Sequence, residues 1–93
     1  MARRGAEIQK RGIDRNSIYF GEFERLAKGL RHKINQLRQS KGLTQEQMQD
    51  FELNLRQFQR IESGETKNIT LSNLFKIAKA FHISISELLK TVE

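Results

Sequence analysis

Phe23, Leu26, Leu30, Ile34 and Leu37 recur at steps of 3, 4, 4 and 3, the period of one face of an α-helix. The stripe keeps its phase across Gly29, which in a helix interior costs about 1 kcal/mol relative to alanine. One helix is therefore predicted from about residue 21 to 40, with Gly42 just past its end, where a glycine closes a helix most easily. Two short helices joined by a tight turn follow, at about 44–51 and 55–63. Thr44 can cap the first, Gln47 can return the bond, and Met48 and Phe51 share its inner face. Asn54 caps the second with Gln57 three residues on, Phe58 and Ile61 point inward, and Gly64 terminates it. After the loop 65–69, Thr70 opens a helix whose apolar face is Leu71, Leu74, Phe75, Ile77, Ala78 and Phe81. His82 stands at its end, where glycine is usual. Ser84 and Glu87 form a further capping box before Leu88 and Leu89. No alternating strand pattern occurs. The fold class is all-α: a compact domain of about five helices, with Met48, Phe51, Leu53, Phe58, Ile61, Leu74, Ile77 and Phe81 as its core.

Residues 1–20 have no sustained period and carry Arg3, Arg4, Lys10, Arg11 and Arg15. They read as a basic N-terminal arm, either disordered or reaching toward phosphates, ahead of a helical domain at 21–93. Ile18, Tyr19 and Phe20 are expected to pack on something, a partner subunit being one candidate. Charge sharpens the picture. The 93 residues carry a formal net charge of +6, which favours a polyanionic partner. Residues 1–43 hold 11 Lys/Arg against 4 Asp/Glu, and residues 44–93 hold 6 against 7. Electrostatic affinity thus resides mainly in the first half, while the second short helix is nearly neutral. That division suits a protein in which phosphate contacts position and base contacts specify.

The outward positions of the second short helix are Leu55, Arg56, Gln57, Gln59 and Arg60. Arginine pairs with guanine O6/N7 and glutamine with adenine N6/N7 in the major groove, so this face has the chemistry for reading bases. The competing reading is an ordinary solvated face. Other chemistries find less support. With no cysteine there is neither a disulfide framework nor a Cys-based zinc site. His32 and His82 have no spaced carboxylate partners, and neither a nucleophile–base constellation nor a phosphate-cradling glycine loop is present. No metal, cofactor or catalysis is expected. No apolar run approaches membrane-spanning length, and the start of the chain lacks the apolar stretch of a secretory signal.

Read this way, the chain resembles the lambda-repressor-like, Cro-type helix-turn-helix family. The resemblance is carried by LRHKINQLRQSKGLTQEQ, by RIESG, and by TLSNLFKIAKAFHISISELL, spanning about residues 28–90. It implies a five-helix bundle working as a symmetric dimer on a palindromic operator. By the same resemblance Gln45, with Thr44 beside it, matches the phosphate-contacting start of the first motif helix. Leu55, Arg56 and Arg60 match base-facing positions, with Gln59 beside them. Ser63, Lys67 and Asn68 match a loop that touches the backbone, and Arg38 and Glu62 match an ion pair tying the first helix to the reading helix. Three positions depart from the pattern. Glu52 replaces the turn glycine in a segment one residue short, and glutamate holds a left-handed turn only under strain. Leu55 replaces a polar residue, leaving contact with a thymine methyl but no hydrogen bond. His82 replaces a terminating glycine.

The expectation is a sequence-specific regulator that binds double-stranded DNA, a homodimeric repressor, cytoplasmic and nucleoid-associated. The alternative is an antitoxin-like module that binds a partner protein and its own operator. Membrane-surface binding is a poorer fit, because the motif helices present amides rather than a lysine stripe.

Overall fold

The computed structural model describes residues 12–90. Among these residues four α-helices and one 3₁₀ helix follow in order: α1 (Phe20–Ser40), the 3₁₀ helix Glu46–Phe51, α2 (Leu55–Ser63), α3 (Leu71–Ala80) and α4 (Ile85–Leu89). Among the described residues there is no strand. The part of the expected basic arm at residues 1–11 lies outside the described residues. Residues 12–19 form turns, in which Ser17 N–H donates to Asp14 O and Phe20 N–H to Ser17 O.

Local chemistry sets most of the boundaries. At the end of α1, Gly42 takes φ +71°. Its N–H reaches Gln39 O at 3.0 Å while Leu43 N–H reaches Arg38 O at 3.1 Å, the two reverse bonds of a Schellman closure. His82 closes α3 in the same way at φ +58°, a conformation histidine tolerates better than most side chains. Thr44 Oγ accepts from Gln47 N–H at 3.1 Å and Gln47 Oε1 accepts from Thr44 N–H at 2.8 Å, a complete capping box. Asn54 Oδ1, Thr70 Oγ and Ser84 Oγ accept from Gln57, Asn73 and Glu87 N–H at 2.9, 3.1 and 3.0 Å.

The core is one cluster, with Ile34, Met48, Phe58, Ile61, Ile77, Phe81 and Leu88 at 1% exposure or less. Leu53 is buried, while Phe51 and Leu74 pack against the cluster partly exposed. The apolar stripes are wider than the surfaces that cover them. Leu26 on α1 and Leu71 and Phe75 on α3 are exposed, as is Leu89. The residues facing the bundle instead include Ala27 and Ala80. Ile18 and Tyr19, expected to pack, also lie exposed on the described chain.

Two features of the motif differ from expectation. Its first helix is 3₁₀ rather than α, held by bonds such as Gln47 N–H to Thr44 O and Met48 N–H to Gln45 O. A 3₁₀ helix rises about 2.0 Å per residue against about 1.5 Å, so a segment one residue short still spans the distance and delivers Met48 to the core. Glu52 does adopt the left-handed turn, at φ 65° and ψ 29°. Its carbonyl accepts from Lys76 Nζ at 3.0 Å, a bond across to α3 that helps hold a conformation glutamate alone disfavours.

Candidate nucleic-acid interface

On a helix, positions i, i+1, i+4, i+5 and i+8 share one side. On α2 these are Leu55, Arg56, Gln59, Arg60 and Ser63, and together with Asn54, Gln49 and Glu65 they line an open depression. Arg56 is exposed, with no carboxylate partner among the described residues. Arg60 lies 3.7 Å from Glu65, both well exposed. Leu55 is half-buried at the edge of the face. Gln57 is exposed but does not line the depression.

Behind this face, Glu62 fixes the orientation of α2. Its carboxylate takes Arg38 Nε at 2.7 Å and Arg38 Nη2 at 3.1 Å, with side-chain exposures of only 12% for Arg38 and 5% for Glu62. Asn35 Nδ2 at 3.2 Å and Gln45 Nε2 at 2.9 Å complete the set. Arg38 Nη1 also donates to Leu43 O at 2.8 Å. Charge-assisted bonds in a partly dehydrated place are stronger than neutral ones, so this network ties α1, the 3₁₀ helix and α2 into one unit. Gln59 Nε2 joins it by donating to Gln45 Oε1 at 3.3 Å.

The residues expected at phosphates are more dispersed. Thr44 is occupied in its capping box. Gln45 gives one amide hydrogen to Glu62, which leaves its second available. Ser63 is exposed, its hydroxyl donating to Arg60 O at 3.2 Å. Lys67 pairs with Glu24 of α1 at 3.2 Å and belongs to a neighbouring cleft. Asn68 lies against Gly12, where an added Cβ would collide with its side-chain amide.

With that geometry in place, one comparison decides the family. The family described as the Cro/C1-type HTH DNA-binding domain matches residues 22–93. The chain belongs to this family. It is a DNA-binding domain of a transcription regulator, and proteins of this family are typically not enzymes. Neither the curated proteins nor the solved structures include a match to the chain. Among the described residues no helix is long and apolar enough to cross a membrane, and no group of three or more His, Cys, Asp or Glu could hold a metal ion.

Several contacts of this Cro/C1-type domain escape a reading of residues alone. Asn35 falls three residues before Arg38 on α1, and this spacing is the signal that it shares the ion-pair side. The Lys76–Glu52 and Lys67–Glu24 contacts have no such local signal.

Proposed function

We propose that the protein is a sequence-specific repressor that binds a palindromic operator as a homodimer, laying α2 in the major groove. Arg56 and Arg60, with Gln59 between them on the same face, meet base edges, and Gln57 flanks them. Leu55 lies against a thymine methyl. Thr44 and Gln45 approach the backbone on one side of the groove, and Ser63, Lys67 and Asn68 on the other. The observation that carries this reading is the open face of α2, which gathers an arginine without a carboxylate partner among the described residues, a second arginine and a glutamine on a helix clamped through Glu62. Bidentate arginine and glutamine contacts give about 1–3 kcal/mol of base discrimination each, enough for a short half-site. Selection of bound duplexes from a random library tests it. An inverted repeat with half-sites about one helical turn apart supports the dimer, whereas a single unrepeated site or no enriched sequence contradicts it.

The antitoxin-like alternative, in which a partner protein is bound as well as DNA, draws on a different feature. Ile13, Tyr19, Phe23 and Leu26, together with the charged Glu22 and Arg25, line a depression at the start of α1, next to the 88%-exposed Ile18. A stable complex with a protein encoded nearby supports this reading; a homodimer without protein ligands counts against it. In either case the working location is the cytoplasm, at the nucleoid.

A further inference from the structure

We propose that α1 carries a second DNA-contacting surface, a cationic track for duplex phosphates that continues the reading face of α2 past its C-terminal end. The inference rests on the DNA-binding reading and extends it to residues of α1 outside the helix-turn-helix. Arg25, Lys28 and Arg31 stand three residues apart on one side of α1. With Lys67 they line a cleft that also contains Ser63 and Gly64. Ser63 lines the depression bearing Arg56 and Arg60 as well, so the two concave surfaces meet at the end of α2. Within the cleft, four cations face one carboxylate, Glu24, which sits 3.2 Å from Lys67. Arg25, Lys28 and Arg31 have no carboxylate partner among the described residues.

The placement of Arg31 depends on Gly64. A Cβ there would come 2.8 Å from the Arg31 guanidinium carbon, and Gly64 takes φ +88°. The absent side chain lets the guanidinium rest against the helix end, beside the α2 face. From Arg31, each three-residue step along α1 advances about 4.5 Å. Arg25 and Lys28 are exposed and extend the positive charge outward along the helix. A row of flexible cations over this length suits the closely spaced charges of a duplex backbone. An acidic protein surface would also attract it, but substitutions in the row would then leave the salt dependence of DNA binding unchanged.

The test measures binding of the full chain to two duplexes, one from library selection and one scrambled, over a range of salt. Lys28→Gln and the double variant Arg25→Gln/Lys28→Gln alter exposed side chains, and an unchanged thermal unfolding midpoint verifies the fold. Lys79→Gln makes the same charge change as Lys28→Gln on α3, outside both concave surfaces. Loss of a phosphate contact lowers the slope of log affinity against log salt by about 1. The expected fall is therefore about 1 for Lys28→Gln and about 2 for the double variant, alike on both duplexes, with little change for Lys79→Gln. Equal slopes for wild type and double variant overturn the track while leaving α2 as the reader. A loss confined to the selected duplex, or one matched by Lys79→Gln, also overturns it. If the wild-type chain binds neither duplex, the DNA-binding reading fails first, and the track with it.

Discussion

Removing the Glu62 carboxylate, as in Glu62→Ala, is predicted to destabilise the domain far more than loss of a surface ion pair would. The carboxylate accepts four hydrogen bonds, two from Arg38 and one each from Asn35 and Gln45. Because Arg38 is only 12% exposed, water replaces its lost partner poorly. Deleting one member of a fully buried pair costs about 3–5 kcal/mol, and this partly buried pair is expected at the lower end of that range. Domains of this size are stable by about 0.05–0.15 kcal/mol per residue, so the loss is a large share of the total. Urea unfolding reads it directly. With a slope of about 1 kcal/mol per molar for a small protein, the midpoint falls by about 3 M or more. A double-mutant cycle with Arg38→Ala should return a coupling energy of about 2 kcal/mol, within the range for residues in one network. A destabilisation below about 1 kcal/mol with negligible coupling would place the pair among exposed ion pairs. It would refute the claim that this network holds α2 in place.

Other outcomes test the packing and the turn. Phe58→Ala removes a side chain with 0% exposure and should cost about 3–5 kcal/mol in the same unfolding experiment; a loss below about 1 kcal/mol would mean the core collapses around it. Glu52→Gly relieves a left-handed residue while retaining the carbonyl that accepts from Lys76. Strain relief of about 1–2 kcal/mol against glycine's entropy cost of about 0.5–1 kcal/mol predicts net stabilisation of up to about 1.5 kcal/mol. A fall in the unfolding midpoint would show that the Glu52 side chain contributes to the turn.

The features legible in the sequence are the ones set within a few residues. Thr44, Asn54, Thr70 and Ser84 announce helix starts because a cap needs only its own side chain and a backbone N–H three positions on. Gly42 and Gly64 announce ends because the left-handed turn is a local demand. Helical period likewise identifies α1 and α3, but it cannot say how much of each stripe finds a partner. Leu71 and Phe75 are in phase with Ala78 yet sit at the edge of the covered surface. The Glu52 turn depends on Lys76, 24 residues away, and the occupancy of the Gln45 amide depends on Glu62. Such contacts exist only once the helices have packed. The outer face of α2 was readable from spacing alone, whereas Lys67 and Asn68 lie against α1 and Gly12 for reasons no local pattern contains.

Whether α2 reads bases is decided by Arg56→Ala. Arg56 is exposed on the open face and lacks a carboxylate partner among the described residues, so its removal leaves the fold intact. The quantity to measure is the ratio of affinities for the selected and scrambled duplexes at one fixed salt concentration. Loss of a bidentate base contact should lower that ratio by about 1–3 kcal/mol, roughly 5- to 150-fold, with preference relaxed at one base position. An unchanged ratio, with both affinities falling together, would make Arg56 a phosphate contact and contradict the assignment of α2 as the reading helix.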